Sequence, residues 1–283
     1  MDHVSSQGYA WGYIGSCIPF ILSLVLVLCA DSFGISMETA MAIAFGITAV
    51  WWFCLTLPLL KTYKQKHYVE KKPYAIRESF SRLGSTFKNV RKEKKAFLFL
   101  LAFFFYIDGV YTIIDMATAY GSALGFDSTG LLLALLVTQI VAFPFAILFG
   151  RLAQRYAAEK LIMICIAAYF GIAVFAMLLT TQTQFWILAV FVGMFQGGIQ
   201  ALSRSYFTKI IPANQSGEYF GLMDICGKGA AFMGTTIVSV VSQLTGDINK
   251  GVGMIALMFV AGILLFIKAT HTPTAEACEV NAG

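Results

Sequence analysis

The chain has 283 residues, 58% of them apolar and only 12% charged, with a mean hydropathy of +0.76 and a formal net charge of +5. Soluble domains carry roughly 25% charged residues, so the composition excludes an ordinary water-soluble fold and points to a lipid bilayer as solvent. The charge excess is not a nucleic-acid footprint, because 12 of the 20 Lys and Arg lie in the single stretch 61–95.

A helix crossing the hydrocarbon needs about 20 mostly apolar residues. Eight runs qualify: 9–30, 38–60, 96–119, 129–150, 160–180, 184–208, 217–243 and 250–268. They are continuous and do not alternate with period two, which argues against a β-barrel. The predicted fold is an all-α membrane protein, a bundle of about eight transmembrane helices.

The first run is too long for a signal peptide, and neither a preceding Lys or Arg nor a small-residue cleavage pattern accompanies it. Gly8, Gly12 and Gly15 on it, like Gly193 and Gly197 later, suit close helix packing. After the second run comes "KTYKQKHYVEKKPYAIRESFSRLGSTFKNVRKEKK" (61–95), which the positive-inside rule places in the cytoplasm. It could also touch anionic lipid. This loop divides the chain into 1–60, the basic linker 61–95, a six-span unit 96–270 and a tail 271–283. Alternating crossings then put Arg151, Arg155, Lys160, Arg204, Lys209 and Lys268 on the linker side, and only Lys250 opposite. Both termini are expected in the cytoplasm.

The third run contains "FFFYIDGVYTIID" (103–115). At about 1.5 Å per residue, Asp108 lies about 18 Å in, near the middle of a core about 30 Å thick. An ionised Asp there costs roughly 2.5–3.5 kcal/mol, so it should face a cavity, find a partner or carry a proton. Asp115, nearer the surface, reads as interfacial. Gln139 in the fourth run is also at mid-depth and is followed by Pro144, a potential kink. In the sixth run Gln196, Gln200 and Arg204 are four apart, one polar stripe expected to line a cavity, with Arg204 near the cytoplasmic end. In the seventh run Asp224 and Lys228 share a helix face. Either they neutralise each other, or Lys228 pairs with Asp108 across the bundle.

Catalytic chemistry finds little support. His3, His67 and His271 lie outside the apolar runs, and neither HExxH, GxSxG nor a phosphate-binding Gly loop is present. The six cysteines form no CxxC or Cys/His cluster and read as small hydrophobes. No cofactor or metal is implied. Without an ATP site, any transport would be gradient-driven or downhill.

The loop "GRLAQRYAAEKL" (150–161) resembles the loop motif of the major facilitator superfamily at Gly150, Arg155 and Lys160, with Gln154 and Ala158 departing from it. "MDHVSSQGYAWGYIGS" (1–16), "YIDGVYTIID" (106–115), "GGIQALSRSYFTKIIP" (197–212) and "GEYFGLMDICGKGAA" (217–231) together resemble the vacuole effluxer-like family, relatives of the autophagy-related amino-acid effluxers of fungal vacuoles. The resemblance covers nearly the whole chain. It implies a partial major facilitator fold with helices five to twelve of twelve, the linker being the loop between halves, and a cavity lined by both halves. It further implies a secondary transporter exporting amino acids or similar small polar metabolites by alternating access. Substrate or coupling-ion contacts would fall to Asp108, Gln139, Gln196, Gln200, Asp224 and Lys228, with protons as a candidate coupling ion. The alternative is a non-transporting membrane protein, or one piece of a split transporter completed by an N-terminal helical fragment.

Overall fold

The computed structural model describes residues 1–64 and 75–273. Those residues form an all-α bundle: α1 (Asp2–Leu28), α2 (Met37–Thr62), α3 (Ala75–Lys92), α4 (Lys94–Ala123), α5 (Ser128–Leu152), α6 (Ala158–Ala176), α7 (Gln182–Ile210), α8 (Ser216–Thr245) and α9 (Ile248–His271). All except α3 are long and apolar enough to cross a membrane, and each holds one of the eight apolar runs. The tail beyond residue 273 lies outside the described residues.

Local chemistry sets the boundaries. Ser36 accepts from the Thr39 amide to open α2, and Asp127 accepts from the Gly130 amide at 2.7 Å to open α5. Thr181 and Gln184 form a reciprocal capping box at the start of α7. Gly246, at φ 68°, ends α8 in the left-handed conformation that favours glycine. Two expectations need correcting. The fifth run was expected to stay helical to 180, but α6 stops at Ala176 because the chain turns there into the Thr181 cap. Within the linker, 75–92 is helical, an amphipathic pattern masked by its many charges.

Contacts at the helix ends show which ends of the helices lie together. At the linker end, Asp2 of α1 meets Ser205 and Lys209 of α7 at 2.5 and 2.6 Å. At the far end, the Tyr120 hydroxyl of α4 donates to the Ala176 carbonyl of α6 and bonds Asn249 of α9.

α4 is the axis of the later six spans. Phe99, Tyr106, Ile107 and Val110 are fully or almost fully buried, packed mainly against α8 and α9. Close approach depends on missing side chains: a Cβ at Gly109 would meet the Phe259 ring at 2.6 Å, and one at Gly262 would lie 2.9 Å from the Tyr106 Cβ. α7 sits against α5 in the same way, since a Cβ at Gly197 would lie 2.6 Å from that of Ala146. α1 docks on α5 and α7, with Ser6 against Gly150 and the Ser5 hydroxyl donating to the Ala201 carbonyl at 2.9 Å. Its opposite face is open: nothing lies within 4 Å of where Gly8, Gly12 or Gly15 would carry a Cβ. α2 touches little beyond α1, and Ala40 is its single buried residue.

Candidate functional site

Where α1, α4, α7 and α8 meet, the polar residues of the spans gather. Arg204 of α7 forms an ion pair with Asp224 of α8 at 3.5 Å, and its guanidinium stacks over the Phe220 ring, 4.9 Å from the centroid. Lys228, one turn along α8, is exposed and forms no salt bridge with Asp224 or Asp108. The two pairings expected from sequence for Lys228 are therefore not formed. Asp224 turns to a cation on the neighbouring helix, where the fixed Arg204 fork lies within reach.

These groups border a cavity of about 110 Å³ that holds Tyr9, Tyr111, Gln200, Arg204, Asp224 and Lys228 on its wall. It lies beside a larger, open cavity of about 710 Å³ along the glycine face of α1, with Tyr9, Gln200 and Arg204 common to both. The larger cavity runs from Met1, Thr208 and Phe220 at the linker end to Tyr13 and Gln139 at mid-depth. Beyond Gln139 lies a narrow, mostly apolar cavity of about 70 Å³ between α4, α5, α7, α8 and α9, with Thr112, Thr138 and Gln196 as its other polar members.

The stripe Gln196, Gln200, Arg204 is thus divided. Gln200 and Arg204 face the open cavities, whereas Gln196, 4% exposed, borders the narrow one. The Oε1 atoms of Gln139 and Gln196 and the Tyr13 hydroxyl are buried without hydrogen-bond partners. Buried polar atoms without partners are rare and costly. All three border this pair of cavities, and the Tyr13 hydroxyl stands near enough to the Gln196 side chain to interact with it.

Asp108 lies elsewhere. It is fully buried in the α4–α8 contact, where Oδ1 accepts from the Gly234 amide at 2.9 Å and from the Thr112 hydroxyl at 3.4 Å. Its Oδ2 has no partner. None of the cavities above includes it, although its hydrogen-bond partner Thr112 lines the narrow one. Asp115 is exposed. Gly150 packs beneath Ser6 at the end of α5, and Arg155 and Lys160 are exposed on the following turn, away from the cavities.

Tyr9, Tyr13 and Tyr111 were not anticipated. Tyr9 and Tyr13 are four apart and both border the larger cavity, with Tyr13 buried in a cluster with Ala142 and Ala146 of α5. That spacing was the available signal, hidden by the ordinary presence of aromatics in spans. Among the described residues no group of three His, Cys, Asp or Glu could hold a metal.

A family model described as "Vacuole effluxer Atg22 like" matches residues 1–274. The chain is 46% identical over 267 residues to an uncharacterized MFS-type transporter, YxiO, of Bacillus subtilis, which covers 94% of this chain and 62% of that protein. It is 25% identical to Autophagy-related protein 22 of Cryptococcus neoformans over 93% of this chain and 49% of that one. The same figure holds for Autophagy-related protein 22 of Saccharomyces cerevisiae, over 87% and 53%. The chain therefore spans between about half and three fifths of the length of these relatives.

Proposed function

Because the chain belongs to the vacuole effluxer Atg22-like family, we propose that it works in the secondary transport of small zwitterionic solutes, amino acids being the family-level expectation. The observation that carries this reading is the juxtaposition of one paired and one free cation, one carboxylate and three tyrosine or glutamine side chains around a cavity between α1, α4, α7 and α8. A solute carboxylate would bridge Lys228 and Arg204, and its ammonium would take Asp224. Tyr9, Gln200 and Gln139 would supply neutral hydrogen bonds along the larger cavity. Movement would follow alternating access, one bundle rocking against the other around this site. Asp108 would serve proton coupling: its carboxylate is sealed from water and has one unpartnered oxygen. Gly150, Arg155 and Lys160 would act at the α5–α6 turn during rocking, and both termini would lie in the cytoplasm.

The test is binding and flux of radiolabelled amino acids with purified protein in vesicles. Removing one charge-assisted contact costs roughly 1.5–3 kcal/mol, so Lys228→Ala should weaken carboxylate binding by about ten- to a hundredfold. Unchanged affinity would sink the carboxylate assignment. Asp108→Asn should retain binding but lose dependence on a proton gradient; normal gradient-driven uptake would exclude Asp108 as the coupling group.

A second reading is favoured by the open face of α1 and by the relatives' greater length: the chain is one part of a split transporter, inactive alone. Co-expression with a four-helix fragment from a longer relative would then be required for flux, whereas flux by the chain alone would exclude this reading.

A further inference from the structure

α3 ends at Lys92 and the membrane-crossing α4 begins at Lys94, so the last turns of α3 stand at the membrane surface. One face of it is docked. Thr86 and Val90 are each 1% exposed, Leu83 packs against the main core, and the Thr86 hydroxyl donates to the Glu218 carboxylate on the first turn of α8 at 2.5 Å. The rest of the surface is unusual for a helix in water. Phe87 is 50% exposed, and the Arg91 guanidinium lies 5.9 Å from the centre of its ring. Lys88, Lys92 and Lys94 are exposed beside them, and none of these four cations has a carboxylate partner among the described residues.

We propose that this face of α3 binds the phosphate headgroups of anionic lipids in the adjoining leaflet, with Phe87 seated in the headgroup layer. An exposed aromatic ring loses water contact there, while guanidinium and ammonium groups that form no ion pair among the described residues find negative charge. Four cations within seven residues, against the single carboxylate Glu93, leave this face net positive, and an anionic surface offsets their mutual repulsion. The docked face fixes the orientation, since Thr86 and Val90 turn Phe87 and Arg91 away from the bundle. The contact does not depend on transport activity.

Hydrogen exchange of backbone amides 83–92 tests it, using the whole chain in lipid nanodiscs made of phosphatidylcholine alone or with one third phosphatidylglycerol. Exchange should be about tenfold slower with the anionic lipid, and the difference should vanish in the variant Lys88→Gln, Arg91→Gln, Lys92→Gln, Lys94→Gln. Equal exchange in both nanodiscs would overturn the proposal, as would a difference that survives in the variant. Inorganic phosphate added to the phosphatidylcholine nanodiscs is the control for a soluble anion. Protection equal to that from phosphatidylglycerol would show a free-phosphate site and also overturn it.

Discussion

Gly234 lacks a side chain at the point where a carboxylate fills the space. A Cβ there would lie 3.0 Å from Asp108 Cγ and closer still to its Oδ1 and to the Thr112 hydroxyl. Gly234→Ala should therefore destabilise the protein by about 1–3 kcal/mol, as overpacking does in close-packed interiors. Asp108→Asn keeps the shape and an oxygen that can accept from the Gly234 amide, so its cost should stay within about 1 kcal/mol. Thermal unfolding in detergent compares the two, and an unshifted transition for Gly234→Ala would refute the close contact. The burial of Asp108 was legible in the sequence, because a carboxylate far from either end of a long apolar helix has to face a partner or a cavity. Its partner was not, since a backbone amide on a distant helix has no residue type to mark it. The same limit misled the reading of Asp224: four-residue spacing showed that Lys228 could reach it, but not that Arg204 of α7 would stand nearer. That pair, with side chains 46% and 57% exposed, adds little stability; under the proposed function a solute would compete for it.

Identical glycine spacings belong to opposite environments in α1 and α7. Gly193 and Gly197 repeat at four residues, as do Gly8 and Gly12. In α7 the repeat is filled by α5: a Cβ at Gly197 would meet Ala146 at 2.6 Å and the Ala142 carbonyl at 3.2 Å, groups that cannot swing aside. In α1 the repeat meets open space. Gly197→Ala should cost about 1–3 kcal/mol, while Gly12→Ala should be neutral or stabilise α1 by about 0.5–1 kcal/mol, because alanine loses less backbone entropy in a helix. Comparing their melting shifts in detergent tests this, and a Gly12→Ala loss as large as that of Gly197→Ala would show the α1 face to be covered. The sequence reads both as close-packing stripes, because lipid offers helices no hydrophobic drive and small residues allow approach; that expectation holds in α7 and fails in α1, where no helix among the described residues packs on the glycines. Which partner fills a stripe is a tertiary fact. α3 shows the converse: its helical periodicity was present, but its charges made the segment read as a plain linker.

Across the whole molecule, two kinds of contact hold the ends of the bundle. At the far end, the Tyr120 bonds to Ala176 and Asn249 join α4, α6 and α9, all within the six later spans. Rocking of that unit as one body would leave them intact. At the linker end, the Asp2 bonds to Lys209 and Ser205 join α1 to α7, across the larger cavity's mouth where Met1, Val4 and Thr208 stand. Alternating access would have to break this junction in one half of the cycle. The ion pair is partly exposed, with side chains 45% and 15% accessible, so it contributes about 1 kcal/mol or less. That shifts a two-state balance by about fivefold, enough to change populations without unfolding the bundle. Asp2→Asn, which removes the charge, should therefore widen the distribution of distances between spin labels at positions 4 and 208 in a cysteine-free background. Tyr120→Phe should leave that distribution unchanged while lowering thermal stability. Electron–electron resonance in lipid nanodiscs reads both. If Asp2→Asn leaves the distances as narrow as in the parent, the α1–α7 junction is not a moving contact, and the rocking interface lies elsewhere.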